Sequence, residues 1–329
     1  MLFQVFAAVV LAATPLPIAD AGKVTWTVQP ANASAVDGRR WIERILDPGQ
    51  QVTEHLAVRN LGTTSAVFAL SAADGYLTAT GRFNMLSSDK KSTDGGTWID
   101  VQNTITVAPN ETRILPFTIT VPAGATPGDH PAGIAASVLS SSGTVQIESR
   151  VGFRVMLRAS GTAQASLAAQ GVKARYERSW NPLRSGAIHV TYTVANIGNV
   201  RADARASVSV SELFGAHRRD GGAAAGELLP GGNRAADGRI RGVWGLGPVR
   251  TTVLLTPAVL GEAGGGAQIL PASTEMTVWI VPWPQLLAVA LLVVLLFVLR
   301  TYRRASRRRL ARLLDDARRE GQALRKDTP

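Results

Sequence analysis

The sequence predicts an all-β protein: two tandem immunoglobulin-like β-sandwich domains, followed by one transmembrane helix and a short basic cytoplasmic helix. Three observations carry this. Apolar residues recur at every second position through most of the chain, the pattern of half-buried strands. Clusters of Asp, Asn, Pro and Gly break that pattern about every 8 to 12 residues, as in antiparallel sandwiches. One uncharged apolar run, residues 279–299, stands alone near the C-terminus.

Residues 1–21 read as a signal peptide. Leu2 to Ala13 is an apolar core, Pro15 and Pro17 break it, and Ala19-Asp20-Ala21 has the small-x-small form of a cleavage site. Its first residues lack Lys and Arg, and an uncleaved anchor is the alternative, although about 12 apolar residues span a bilayer poorly. The distal domain is assigned to 22–159. Val24, Trp26 and Val28 alternate with Thr25 and Thr27, and Asp47-Pro48-Gly49 makes a turn because proline presets φ and glycine accepts a positive one. Val52, Leu56 and Val58 form the next row, closed by Asn60-Leu-Gly62, and Ala66, Phe68 and Leu70 follow. Gly81 to Gly96 is polar and reads as a long mobile loop, and Pro127 to His130 as a turn. The longest alternation runs from Val145 to Leu157, with Gln146, Glu148, Arg150 and Arg154 on the opposite face.

The membrane-proximal domain is assigned to 160–280. Ile188 to Val194 and Val200 to Val210 alternate on either side of Asn196-Ile-Gly-Asn199, which reads as a hairpin, whereas Gly221 to Gly238 reads as a loose loop. Met276, Val278 and Ile280 lead straight into the span at 281–299. At about 1.5 Å per residue, Trp279 to Leu299 reaches roughly 30 Å, the depth of bilayer hydrocarbon. Trp279 and Trp283 suit one interface, and Arg300, Arg303, Arg304 and three further arginines the other. That asymmetry puts the C-terminus in the cytoplasm and the domains outside, on a single-pass protein of the cell membrane. The tail, 300–329, holds eleven basic and four acidic residues, so most of the chain's +11 belongs to membrane topology and calls for no nucleic-acid partner. Leu310, Leu313, Leu314 and Ala317 give it a helical apolar stripe, fit for lipid or for a cytosolic partner.

The ordered series Trp26-Thr-Val-Gln-Pro30, Leu46-Asp-Pro-Gly49, Arg59-Asn60, Asp74-Gly75, Gly81-Arg-Phe83, Trp98-Ile99, Val121-Pro122 and Pro127-Gly-Asp-His130 before Ala132-Gly133-Ile134 resembles the first domain of WxL-interacting proteins. That resemblance implies a Gram-positive cell surface, an immunoglobulin-like first domain that binds peptidoglycan, and a second that binds partner proteins. The segment Gly221 to Gly238 departs from the family's second domain.

The chain offers little chemistry. It has no cysteine and no HExxH, Gly-x-Ser-x-Gly or phosphate-loop motif. Asp129 and His130 are the one tempting pair, but neighbours in a turn point apart. Asp89, Asp94 and Asp100 lack the spacing of a calcium loop. No cofactor, metal or catalytic residue is assigned. Trp41, Tyr76 and Trp98 are the aromatic candidates for a binding surface, with Asp129 and His130 beside them; Tyr76 and Trp98 fit core positions better, and Trp41 fits exposure. The reading is a non-catalytic envelope protein binding wall polymer or a surface protein, and touching lipid through its span. An accessory subunit of a membrane complex is the alternative, and an extracytoplasmic hydrolase is disfavoured.

Overall fold

The computed structural model describes residues 24–142, 145–212, 215, 217–261 and 266–326; the predicted signal segment lies outside them. The described chain is mostly β with one C-terminal helix, and it divides after Thr162 into two compact units.

The first unit stacks two sheets. One has the order β1 (Trp26–Ala31), β3 (Gln51–Asn60), β8 (Thr112–Thr120), β6 (Ile99–Asp100). The other has the order β2 (Ile42–Leu46), β10 (Val145–Ala159), β9 (Gly128–Ser142), β4 (Ala66–Leu77), β5 (Phe83–Met85), with β7 (Thr104–Val107) also on β4. Inward positions of the alternating rows meet between them: Phe68, Ile134, Phe153 and Leu157 face Leu56, Val58, Phe117 and Ile119 in one buried cluster. Burying each such side chain is worth about 1.5–3 kcal/mol, which holds a cysteine-free unit together. The Asp47-Pro48-Gly49 turn forms as its residues demand, with Gly49 at φ +84° and the Gln50 amide donating to the Asp47 carbonyl at 2.9 Å.

The second unit also has two sheets. They are β15 (Asn233–Val243), β12 (Gly186–Asn196), β11 (Gln164–Glu177), β17 (Gln268–Leu270), and β14 (His217–Leu228), β13 (Ala202–Glu212), β16 (Gly247–Val259), β18 (Ala272–Ile280). Helix α1, Trp283–Lys326, leaves β18 after two residues and continues unbroken through the arginine cluster.

Four expectations change. Asn196 to Asn199 does not close a hairpin, because β12 pairs with β11 and β15 while β13 pairs with β14 and β16. The turn carries the chain between sheets, a distinction that alternation alone does not encode. Gly221 to Gly238 is not loose: β14 and β15 run through it. Poor in β-branched residues, it becomes strand by pairing with β13 and β12, and a bulge accommodates Gly226 at φ +74°. Pro127 to His130 is not a turn, since β9 starts at Gly128 and pairs with β10 from there. Gly81 to Gly96 is not a free loop, because the Asp74 carboxylate gathers it: the amides of Thr93, Asp94 and Gly96 donate to Asp74 at 2.7–3.2 Å.

The same asparagine corner recurs separately in each unit. Asn60 sends its amide nitrogen to the carbonyls of Thr64 (2.8 Å) and Val107 (3.0 Å) and accepts from the Gly62 amide at 2.9 Å. Asn196 does the same with Val200 (2.8 Å), Leu228 (3.1 Å) and Gly198 (3.0 Å). Each Asn-Leu/Ile-Gly step therefore ends a strand with a buried amide tied to two other segments. Asn60→Ala and Asn196→Ala each strand buried partners and should cost about 2–3 kcal/mol, read as a lower denaturation midpoint of the unit concerned. Substitution of the exposed Asn84 serves as the neutral comparison.

Candidate functional site: an open strand edge beside a basic groove

Strand β10 is long and only partly covered. Its outer edge pairs in parallel with β2 over Val155–Ala159, and no other described strand forms a ladder along that edge toward Val145. The same stretch is fully paired with β9 on its other side, so its backbone is already held in strand form. The inward row of β10 continues past the core: Phe153 is buried, Val151 is 38% exposed and Ile147 48% exposed. A preformed edge that no described strand covers, with apolar side chains at alternate positions, is a template for one more strand.

A groove of about 530 Å³ opens where β2 stops covering β10. Val28, Gln29 and Pro30 of β1 form one wall, and Arg150, Gly152, Phe153 and Arg154 of β10 the other. Arg39 and Arg40 close one end and Phe83 and Met85 another, so four arginines and no carboxylate line it. Asp37 hydrogen-bonds the Arg39 guanidinium, which lowers the Asp37 carboxyl pKa and raises that of Arg39; Arg39 also reaches the buried Glu54 at 3.1 Å. Arg154 lies 4.4 Å over the ring of Trp41, and Arg150 donates to the Leu86 carbonyl at 2.9 Å. Arg39, Arg150 and Arg154 are thus held in place, and with Arg40 they make the groove favourable to an anionic guest.

The five candidate surface residues fall into two groups. Trp41 is half-exposed and meets the groove only through Arg154, which lies over its ring, and Tyr76, 41% exposed and bonded to Asn84, borders an adjoining hollow with Arg150. Tyr76 is therefore not a core residue: it lies where β4 pairs with the short strand β5, opposite the exposed Asn84. Trp98, Asp129 and His130 are buried elsewhere and offer no surface. Asp129 and His130 point apart, as strand neighbours do: Asp129 forks onto Arg158, and His130 lies 4.3 Å from the Trp98 ring. The groove arginines were invisible as a set in the sequence, since only the β1, β2 and β10 edges bring them together.

His130 places Nδ1 2.5 Å from the Asp94 carboxylate and Nε2 2.8 Å from the Thr126 carbonyl oxygen. Both partners accept, so the ring satisfies both only as imidazolium. Burial opposes that charge, but the Asp94 and Thr126 bonds and the charges of Asp94 and Asp129 outweigh it and raise the pKa above its ordinary value. A raised folded-state pKa gives stability that is complete below the unfolded value, about 6.5, and is lost as pH rises through the folded value. The first unit's denaturation midpoint should therefore fall on going from mildly acidic to alkaline pH. His130→Gln should flatten that dependence.

Of the membrane-interface candidates, Trp279 is the penultimate residue of β18 with its side chain exposed, Trp283 opens α1, and Arg300, Arg303 and Arg304 lie on the exposed continuation of the same helix. Among the described residues, one helix, over Trp283–Ala317, is long and apolar enough to cross a membrane.

No family model matches the chain, and no curated protein does. Among solved structures, it is similar to a chaperone–tip adhesin complex of CFA/I fimbriae, at 8% identity and TM-score 0.40, over 76% of this chain and 98% of the other. It is also similar to a class 5 fimbriae chaperone, at 10% identity and TM-score 0.37, over 78% of this chain and 100% of the other. An E. coli chaperone gives 12% identity and TM-score 0.32, over 76% of this chain and 98% of the other. At these scores the likeness carries no argument about function. The resemblance to WxL-interacting proteins is nevertheless overturned: no family model supports it, and the structural neighbours are fimbrial chaperones. The motifs behind it are turn residues, which unrelated sandwiches share. The peptidoglycan-binding and Gram-positive expectations that depended on it go with it.

Proposed function

We propose that this is a non-catalytic, membrane-tethered protein with two immunoglobulin-like sandwiches that captures an extended segment of a partner protein by strand addition to β10. The single observation behind this is that β2 is the one described strand on the outer edge of β10 and ends its pairing at Val155, leaving the rest of a long strand without a strand neighbour beside the basic groove. An incoming strand would continue the position that β2 holds farther along. Its main chain would bond to the β10 edge, its apolar side chains would meet Ile147 and Val151, and its carboxylates would meet the arginines. Fimbrial chaperones are described as binding adhesin or pilin subunits. Here a surface or exported protein is the partner class, and the open edge is the support. Helix α1 crosses the membrane, with the arginine cluster on the cytoplasmic side.

The chain has no cysteine, so Ser149→Cys carries a photocrosslinker at one site of the full-length protein in its native membrane. The expected result is a discrete protein adduct at Ser149 that is absent from the same probe at Arg113, an exposed residue of β8 on the other sheet. Equal labelling from both sites, or none from Ser149, contradicts the proposal.

A further inference from the structure

The second unit carries an exposed apolar collar at the end where helix α1 begins. The loop of residues 178–185 joins β11 to β12 and holds Trp180, 79% exposed, and Leu183, 84% exposed. Sheet register brings two other segments to the same end. Gly186 pairs with Val243, so Trp244 and Leu246 follow directly beside the loop, and Gly247 pairs with Ile280, one residue before Val281. Trp244, Leu246, Val281 and Trp283 are all exposed as well. The Tyr176 hydroxyl donates to the Trp244 carbonyl at 3.1 Å, and the Gly245 amide donates to Glu212 at 2.7 Å, which fixes the second segment against the sandwich. The loop is fixed too: the Gln285 side-chain amide donates to the Pro182 carbonyl at 3.4 Å.

Single exposed apolar residues are ordinary, but six gathered around the emergence of an apolar helix need one explanation. Gln285 lies in the first turn of α1, so its bond to Pro182 puts the 178–185 loop at the depth of that turn. We infer that this end of the unit is a lipid-contacting face, with Trp180 and Leu183 seated in the interfacial layer of the same bilayer that α1 crosses. The inference rests on the reading of α1 as a membrane span. Indole rings favour that layer because it is wet at one edge and apolar at the other. Arg178, 6.0 Å over the Trp180 ring, and Arg184 flank the apolar tip with cations suited to lipid phosphate. The surface is continuous with the helix's own entry into lipid, which selects the bilayer over a separate protein as its occupant.

The full-length, cysteine-free chain permits a direct test in vesicles of phosphatidylcholine and phosphatidylglycerol. An environment-sensitive fluorophore is placed in turn on Leu183→Cys, Trp180→Cys, Val294→Cys in the span and Ser88→Cys on the first unit. Lipids carrying a nitroxide near the headgroup or deep in the chain then act as quenchers. The expected result is that the shallow quencher reduces emission from 180 and 183 roughly twofold or more relative to Ser88, and that the deep quencher acts on Val294. If 180 and 183 behave like Ser88 while Val294 is quenched, the lipid-contacting face is wrong and the span stands. If Val294 is also unquenched, the span reading fails and takes the inference with it. Shielding of 183 from water without lipid quenching would mean a protein occupant, and would equally overturn it.

Discussion

Replacing Asp129 with alanine should destabilise the first unit by about 3–5 kcal/mol, because it removes the carboxylate that forks onto a buried guanidinium. Asp129 and Arg158 are direct cross-strand partners on β9 and β10, and both are buried. Arg158 Nη2 donates to Asp129 at 2.8 Å, and Nε donates to the other carboxylate oxygen. The pair need not add net stability, since desolvating two charges costs about what their attraction returns. Losing one member is the expensive event. The double variant Asp129→Ala/Arg158→Met should therefore recover most of the loss, because the buried guanidinium is removed together with its carboxylate. Chemical denaturation of the full chain, followed through the first unit's transition, separates the outcomes. An Asp129→Ala cost below about 1 kcal/mol would show that Arg158 is not dependent on this carboxylate.

The second large effect concerns capture. Changing Ile147 and Val151 together to lysine puts inward-pointing charges on the open edge, a device by which edge strands refuse further pairing. Both residues are more than a third exposed, so the fold should tolerate the change at a cost of about 1 kcal/mol or less. Adduct yield from the Ser149 probe should nevertheless fall at least about tenfold. Leu139→Lys is the matched control: it lies 67% exposed on β9, opposite Glu148, on the face away from that row. It should leave the yield unchanged. Equal loss from both variants would point to general disturbance of the hairpin and count against the edge.

Much of this architecture is written in local pattern. The row from Val145 to Leu157 reads as one long strand because its period of two persists through polar Ser149, and the helix after Trp283 is plain from length and composition. Pairing is not local. The residues of β12 and β13 alternate as hairpin arms would, yet Asn196 sends β13 to the opposite sheet through bonds to Val200 and Leu228. Gly221 to Gly238 lacks the residues that favour strands, and becomes β14 and β15 because neighbouring strands supply its hydrogen bonds. The Asp74 carboxylate holds amides about 20 positions along the chain, and Asp129 finds Arg158 across a hairpin. Among the site residues, Trp41 stood out from its sequence neighbours. The groove arginines did not, since Arg39 and Arg40 are separated from Arg150 and Arg154 by most of the unit. The open edge was the least legible feature, because it is defined by where β2 stops.

Amide hydrogen exchange on the full-length protein in membranes, compared with and without the captured partner, tests the strand-addition claim most directly. The account predicts that added protection concentrates at Ile147 to Arg154 along β10, with β14 and β15 of the second unit unchanged. Protection confined to other segments, with β10 exchanging as before, would contradict it.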